Sequence, residues 1–401
     1  MKTFFKKFTE RFIEGILMLS GTITTLTVLL IVVFLFREGL GLFSESPVIN
    51  NNVIVVNSKN TVTYLKALQI KDIYDGKITN WKELGGLNDT IITFSVNDIS
   101  SYYSEEYLAA NMDKIPVLIS HVVDSIPQVL AVFQGKYFTK DFKGKQVHVD
   151  KLNIPDFIKG KQWFPTAEPV VQLGILPILL GTFWVSLGAI LIALPIGLAT
   201  AIYMAEVASP KLRNILKPVI ELLAGIPSVV YGFFGLIVIV PLIQKMFNLP
   251  VGETALAGSI VLGIMALPTI ITVSEDAIRN TPRTMKEASL ALGANRWQTI
   301  QRVILPYSIS GITAAAILGI GRAMGETMAV LMVTGNAAVM PHTFLQPVRT
   351  IPATIAAELG ESSQGGVHYK ALFALGCLLF IMTLIVNLIV EYITSKRKLS
   401  R

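Results

Sequence analysis

Long apolar runs without a charged residue are the feature of this sequence that most constrains its fold. A helix needs about 20 apolar residues to cross the hydrocarbon core of a bilayer. Six runs of sufficient length occur, and only 15% of the 401 residues are charged, compared with about 25% in soluble domains. The chain is therefore predicted to be an all-α polytopic membrane protein. The predicted spans are Ile16–Phe36, Thr182–Glu206, Leu222–Ile243, Thr254–Ser274, Pro306–Thr334 and Ala371–Val390.

The first run could belong to a cleaved signal peptide, because it follows a basic N-terminus. A signal peptide, however, has an apolar core of about 7–15 residues and a small-residue cleavage site. The run Ile16–Phe36 is longer and is followed by Arg37-Glu38-Gly39-Leu40. We predict a retained transmembrane helix.

Lysine and arginine residues indicate the orientation. The N-terminus, the segment after the second span, the connection after the fourth span and the C-terminal tail are all basic, whereas the loop Gln244–Glu253 has only Lys245. Basic loops lie preferentially in the cytoplasm. We therefore expect both termini to be cytoplasmic in a multi-pass bacterial cell membrane protein. The predicted parts are residues 1–40, an extracytoplasmic insertion at 41–168 between the first two spans, and a core at 169–395.

The insertion has the alternating patterns of a small α+β unit. Val53–Ser58 and Thr90–Val96 are typical of strands, and Lys66–Gly76 is typical of a helix. A helical stalk over part of this length is an alternative.

A polar connection, residues 281–306, separates the fourth and fifth spans. Thr284 and Glu287 have capping-box spacing, and so do Asn295 and Gln298. Gly293 between them favours a helix end. The connection is therefore predicted to form a helix, a glycine turn and a second helix on the cytoplasmic surface. An amphipathic connector that rests on lipid headgroups is the simplest interpretation.

The order of residues in this connection resembles a known motif. Glu287-Ala288-Ser289, three residues, Gly293, nine residues and Val303-x-Leu305-Pro306 are similar to the EAA loop of ABC importer permeases, EAA-x3-G-x9-I-x-LP. Ser289 and Val303 depart mildly from that pattern by size. In that family the loop forms coupling helices that dock into a separate ATPase subunit.

The resemblance implies that Glu287, Ala288 and Gly293 couple the chain to an ATPase. The sequence has no G-x4-G-K-[ST] stretch, so ATP is expected to be bound by that partner and no cofactor by this chain.

Two further segments resemble the phosphate permeases of the PstC type. They are Glu206–Leu236, with EVASPKLRNILKPVIELLAGIPSVVYGFFGL, and Leu318–Asn336, with LGIGRAMGETMAVLMVTGN. PstA-type permeases are less similar over GRAMGETMAV. The resemblance implies a type I ABC importer permease fold with six transmembrane helices. It also implies a PstA-like second permease subunit, a dimer of PstB-like ATPase subunits and an extracytoplasmic PstS-like phosphate-binding protein.

Arg322 and Glu326 lie within the predicted fifth span, where charges are costly and indicate function. Four residues apart, they are expected on one face of a helix. Arginine offers a planar fork of donors that matches phosphate oxygens, and the glutamate could hold it when no anion is bound. We expect both residues in the substrate pathway; the alternative is a purely structural ion pair. The spacing of Gly321 and Gly325 is typical of close helix packing.

Part of the insertion, Leu65–Val96, resembles a segment of the phosphate-binding proteins over only about 35 residues. In those proteins a Ser/Gly/Thr-rich loop follows and holds phosphate. Here the next residues include Asp98, Glu105 and Glu106, which repel an anion. We therefore expect the insertion to be a docking platform for the binding protein, or a brace, that does not itself bind phosphate.

The leading hypothesis is thus a permease subunit that imports inorganic phosphate. Import of another oxyanion, sulfate or molybdate, and a phosphate-status sensor or scaffold with a permease fold are the alternatives. No nucleophile–base set is apparent, so no catalytic residue is expected. No metal site is expected either, because the histidines lack metal-ligand spacing; they are His121, His148, His342 and His368.

Overall fold

The computed structural model describes residues 2–49 and 51–399, without the side chains of residues 2–11 and 393–399. The chain forms two compact units. The membrane unit contains the residues up to Gly39, Ile175–Ser362 and those from Leu372 onward. The insertion unit contains Leu40–Gly174 and Ser363–Ala371. It therefore extends beyond the predicted boundaries of 41–168 and includes a short distant segment that the sequence pattern did not indicate.

The helices of both units follow the apolar runs and the turns between them. In chain order they are α1 (Lys2–Gly41), α2 (Ala67–Tyr74), α3 (Glu105–Ala110), α4 (Ile115–Ser125), α5 (Ile154–Lys159), α6 (Leu176–Ile202), α7 (Pro210–Ala224), α8 (Ser228–Phe234), α9 (Val240–Phe247), α10 (Ala255–Arg279), α11 (Arg283–Ala291), α12 (Arg296–Thr299), α13 (Leu305–Gly325), α14 (Met328–Val333), α15 (Ile351–Glu358) and α16 (Val367–Leu399).

Among the described residues, six helical stretches are long and apolar enough to cross a membrane, which confirms the predicted number of spans. They are Phe12–Ser44, Leu176–Val207, Ser228–Phe247, Ala255–Arg279, Arg296–Gly325 and Val367–Tyr392. Turns of π-helix continue α6, join α8 to α9, and join α12 to α13.

Several predicted span boundaries differ from the structure, and two of them are wrong because they run across a break in the helix. The third span begins at Ser228 rather than Leu222, because Leu222 still belongs to α7 and Pro227 disfavours helical backbone in the residue before it. The fifth ends at Gly325 rather than Thr334, since Glu326 has extended backbone and α14 is a separate short helix. Hydropathy does not detect such a break, because the chain stays apolar on both sides of it.

Helix α10 lies at the centre of the membrane unit and packs against α6 and α13. Glycines permit these close approaches. A β-carbon at Gly188 of α6 would overlap Ser259 of α10, and one at Gly311 of α13 would overlap Ala277. Small residues at helix contacts are how transmembrane helices gain van der Waals packing.

The glycine spacing singled out in α13 does not serve this purpose within the chain. Gly319 is the residue that meets a neighbour, Ile270, whereas a β-carbon at Gly321 or Gly325 would have nothing within 4 Å. The prediction that Gly321 and Gly325 pack against another helix is therefore wrong for the chain on its own.

The insertion unit is an α+β fold, as predicted, rather than the helical stalk that was the alternative. Its strands are β1 (Asn52–Asn57), β2 (Tyr64–Leu65), β3 (Ile92–Ser95), β4 (Val129–Gln134), β5 (Gly144–Gln146), β6 (His148–Val149), β7 (Trp163–Phe164) and β8 (Gln172–Leu173). The main sheet has the order β3-β4-β1-β5. Strand β4 is antiparallel to β1 and parallel to β3.

Both faces of this sheet are buried. Ile54 and Val56 of β1 point into an apolar cluster with Trp81, while Val55 points into a second cluster with Phe94. This alternation follows from the two-residue period of a strand. The two clusters give the insertion an apolar core on each side of its sheet.

Candidate functional site

The connection between α10 and α13 forms two short helices around a turn, as predicted. The second begins with the predicted capping box, in which Asn295 Oδ1 accepts from the Gln298 backbone N–H at 2.8 Å and Gln298 Oε1 accepts from the Asn295 N–H at 2.9 Å. The box predicted for Thr284 and Glu287 is wrong. Helix α11 begins one residue before Thr284, at Arg283 after Pro282, and no side chain caps it. The fixed φ of proline starts the helix there instead.

Gly293 ends α11 with a left-handed turn. Its φ is +87°, a conformation that costs other residues roughly 1–2 kcal/mol. The Gly293 N–H donates to the Leu290 carbonyl, and the Ala294 N–H donates to the Ser289 carbonyl. These two bonds make a Schellman motif, which satisfies carbonyls at the helix end. No atom lies within 4 Å of the position that a β-carbon would take, so backbone conformation rather than crowding inside this chain requires glycine.

One side of this connection is fixed to the rest of the membrane unit. Lys286 of α11 pairs with Glu206 at the end of the second span. The hydroxyls of Ser289 and Thr299 lie 3.0 Å apart and hold α11 to α12. Thr299 itself is buried. These contacts orient the connection without using Glu287.

The other side is open. Glu287 and Ala288 are exposed, and in the part of the chain that the structure describes Glu287 has no ion-pair partner. Leu292 is 89% exposed and Trp297 is 61% exposed. Large apolar side chains that protrude together from a polar loop mark a contact surface. The three predicted coupling residues, Glu287, Ala288 and Gly293, are thus all exposed in the connection.

Arg322 and Glu326 lie at the opposite end of the fifth span from the connection. Arg322 is half-buried in the last turn of α13, and Glu326 is the half-buried residue that ends it, with ψ of 132°. The expectation that both lie on one face of a continuous helix is wrong, because the helix stops at Gly325. Within residues 12–49 and 51–392, whose side chains are described, neither residue forms a salt bridge or a side-chain hydrogen bond.

A second arginine in the membrane unit provides a contrast. Arg349 precedes α15, its guanidinium pairs with Glu358, and its Nε donates to Asn336 Oδ1 at 2.9 Å. Its charge is therefore neutralised within the chain. Arg322 differs because its five donors have no carboxylate partner among the described side chains, and it is the guanidinium that an anion could engage.

A buried ion cluster that sequence reasoning missed connects α7 to α10. Glu275 is fully buried, with Arg213 Nε at 2.9 Å, Lys217 Nζ at 3.0 Å and Arg279 at 3.6 Å. Lys217 donates a hydrogen bond to it, whereas the Arg213 Nε–H is not aligned for one. The only signal in the sequence was the charged end of the fourth apolar run. Nothing local indicated that residues about sixty positions earlier would approach it.

Comparison with known families identifies this architecture. The family described as "Binding-protein-dependent transport system inner membrane component" matches residues 193–399, which is more than half of the chain. The chain belongs to this family. Such a component is a transport subunit, and its six apolar helices make it a multi-pass membrane protein.

Curated relatives of this transport component match about three fifths of the chain. It is 42% identical over 251 residues to a probable ABC transporter permease protein, YqgH, of Bacillus subtilis, covering 62% of this chain and 81% of that protein. It is 36% identical over 259 residues to the phosphate transport system permease protein PstC of Mesorhizobium japonicum, covering 60% of this chain and 78% of that protein. A solved methionine ABC transporter, MetNI, has a chain that is 20% identical, with a TM-score of 0.42, over 56% of this chain and 94% of that one.

The insertion of this transport component matches a second family, the "PBP superfamily domain", over residues 38–146. The likeness is therefore about three times longer than the segment Leu65–Val96 from which it was first inferred. It includes the main sheet of the insertion unit. A solved phosphate receptor from Vibrio cholerae is 20% identical over 27% of this chain and 50% of that chain, with a TM-score of 0.20.

Proposed function

We propose that this chain is the transmembrane permease subunit of an ATP-driven importer of inorganic phosphate, and that it forms the pathway with a second permease subunit. The observation that carries this proposal is the 36% identity to PstC proteins over 60% of the chain. The family match over residues 193–399 includes both the coupling connection and the segment with Arg322. In this assignment the termini are cytoplasmic and the insertion is extracytoplasmic.

The geometry of the connection supports a docking role. Its inner side is fixed by Lys286 and Ser289, and its outer side presents Glu287, Ala288 and the exposed Leu292. A fixed element with an apolar, exposed edge is suited to transmit force from a partner. We assign that partner to a PstB-like ATPase dimer, which would bind and hydrolyse ATP.

The unpaired guanidinium supports a role in the pathway. An anion that crosses a low-dielectric region needs a positive partner, and charge-assisted bonds from arginine to phosphate oxygens are among the stronger hydrogen bonds in proteins. Arg322 provides such a group near the end of α13. Glu326, one residue beyond the helix, is close in sequence and would compete with the anion for the guanidinium. A PstA-like subunit would complete the pathway, and a PstS-like binding protein would deliver phosphate.

Uptake of labelled phosphate by the assembled transporter in proteoliposomes tests this function. We expect saturable, ATP-dependent uptake that excess unlabelled phosphate abolishes. Sulfate and molybdate in the same excess should leave it unchanged. Preferential competition by either would favour the importer of another oxyanion. A chain that assembles with its partners but moves no oxyanion would favour the sensor or scaffold.

Variants of the charged residues test the pathway. Arg322→Gln should stop uptake, and Arg322→Lys should impair it because the fork geometry is lost. The double variant Arg322→Gln/Glu326→Gln separates a pathway role from a structural ion pair, because it removes both charges. We expect it to assemble normally and still to transport nothing. Uptake at near-normal rates in the assembled double variant would refute the assignment of Arg322 to the pathway.

A further inference from the structure

A cavity of about 470 Å³ in the insertion unit has a lining rich in lysine. Segments on either side of α2 and α5, together with β8, form its walls. Its volume lies within the range of about 300–1,000 Å³ that is usual for small-molecule sites. The lysines that line it are Lys66, Lys71, Lys77, Lys151, Lys159 and Lys161.

Four of these lysines have no ion-pair partner among the side chains that the structure describes. Only Lys71 and Lys77 are paired, and both bind Asp75, at 2.8 and 3.1 Å. Hydrogen bonds from Lys71, and to a smaller extent from Lys77, lower the pKa of the Asp75 carboxyl. Asp75 is therefore ionised at neutral pH and pairs with both lysines. The cavity therefore keeps a surplus of positive charge from two separate segments, around α2 and around α5.

The two carboxylates in the lining have partners within the unit. Asp150 accepts from the Ala67 backbone N–H at 3.0 Å, at the start of α2. Asp156 accepts from the Asn153 side chain at 2.7 Å. Neither forms an ion pair with a lysine among the described side chains, although each keeps its negative charge. The formal balance of the lining is six lysines against two aspartates.

The rest of the lining combines apolar side chains with polar amides. Phe157, Val171 and Leu173 are each 5% exposed. Gln172 Oε1 is buried and accepts no hydrogen bond within the described residues. Concave sites with charges of one sign and low-dielectric walls focus the field and concentrate the opposite ion.

We propose that this cavity binds a small anion with several phosphoryl groups, such as a condensed phosphate or a multiply phosphorylated sugar. A single phosphate ion is much smaller than the cavity and would meet only part of a lysine set drawn from two segments. An anion with several phosphoryl groups spans the set. This site lies within the insertion unit, and the proposal does not depend on which substrate the permease carries.

The four lysines without an ion-pair partner are exposed, so the attraction is screened by salt and its strength comes from their number. Affinity should therefore rise with the number of phosphoryl groups and fall with ionic strength. It should also depend on these lysines rather than on the overall charge of the chain. These three properties distinguish a built site from general attraction to a basic protein.

Calorimetry on the full chain in nanodiscs of zwitterionic lipid tests the proposal, with tripolyphosphate and inorganic phosphate as probes at 50 mM salt. We expect saturable tripolyphosphate binding at least tenfold tighter than phosphate binding. The variant that changes all four free lysines to glutamine should weaken it at least tenfold; its changes are Lys66→Gln, Lys151→Gln, Lys159→Gln and Lys161→Gln.

A matched variant with the same loss of charge outside the cavity should change affinity less than twofold; its changes are Lys59→Gln, Lys114→Gln, Lys136→Gln and Lys140→Gln. Circular dichroism and gel filtration establish that both variants are folded, and the single change Lys159→Glu replaces the cavity variant if it is not. No saturable tripolyphosphate binding up to millimolar concentration would overturn the proposal. Equal losses in the two variants, or phosphate binding as tight as tripolyphosphate binding, would overturn it too.

Discussion

Removal of the Glu275 carboxylate should destabilise the membrane unit far more than removal of its neighbour Asp276. Lys217 Nζ lies 3.0 Å from an oxygen of each carboxylate, so the two share the same lysine at the same distance. They differ in burial, since the Glu275 side chain is 0% exposed and the Asp276 side chain is 56% exposed. The substitutions Glu275→Gln and Asp276→Asn preserve shape and remove one charge each. Their comparison therefore measures the combined effect of burial and of the additional partners of Glu275, Arg213 and Arg279.

The expected magnitudes follow from the contacts. Breaking a buried ion pair by removing one partner costs about 3–5 kcal/mol. Arg213 and Lys217 remain 22% and 28% exposed, so water can partly solvate them and the loss should be near the lower limit, about 3 kcal/mol. An exposed pair is worth about 0–1 kcal/mol. The difference of about 2 kcal/mol corresponds to a factor of roughly 30 in the unfolding equilibrium.

Equilibrium unfolding in mixed micelles with increasing dodecyl sulfate, followed by circular dichroism, measures both variants. We expect the midpoint of Glu275→Gln to shift clearly below that of wild type and the midpoint of Asp276→Asn to stay close to it. The additional variant Lys217→Gln should resemble Glu275→Gln only in part, because Arg213 still faces the carboxylate. Equal shifts for Glu275→Gln and Asp276→Asn would refute the argument that the buried cluster fixes α7 to α10.

Three other positions give independent tests. Gly293→Val should abolish phosphate-stimulated ATP hydrolysis by the assembled transporter. The control Gly365→Val, at φ of +76° and equally uncrowded, should preserve it. Surviving stimulation in Gly293→Val would favour a connection that only rests on lipid. Gly311→Leu should lose about 1–3 kcal/mol because the α10 contact is overpacked, and Gly321→Leu, with nothing within 4 Å, should lose less than half as much in the same micelle assay. Asn57→Ala should destabilise the insertion by about 2–3 kcal/mol, since its buried amide donates to two carbonyls at 2.7 and 2.9 Å; unchanged protection of insertion amides in hydrogen exchange would contradict this.

Local patterns predicted the elements of this fold well, because they depend on neighbouring residues. The six apolar runs correspond to six helices that are long enough to span a membrane among the described residues. Asn295 and Gln298 form the capping box at the start of α12. The EAA-like order predicted an outward coupling surface, and Glu287 is exposed. Each of these features depends on residues that are close together in the sequence.

Features that depend on tertiary contacts or on a single backbone torsion were not predictable. Two partners of Glu275, Arg213 and Lys217, lie about sixty residues earlier, on a helix whose basic residues indicated only the orientation of the chain. The pairing inferred for Arg322 and Glu326 required a continuous helix. The extended backbone at Glu326 means that the helix does not continue that far. The lysine cavity is likewise formed by segments whose charges are unremarkable when each is taken alone.

The coupling connection and the candidate pathway residue are joined by one stretch of helix. Residues Arg296–Gly325 form a single span in which a π-helical turn at Ile300–Ile304 joins α12 to α13. Arg322 is 26 positions after the first residue of α12, or about 39 Å at the rise of an α-helix. A helix of this length is a stiff element, so a displacement of α12 by a docked partner is carried toward Arg322 unless the π-helical turn absorbs it. The ion pair between Lys286 of α11 and Glu206 connects the same movement to the second span. Force from one docking surface would therefore reach both the second and the fifth spans.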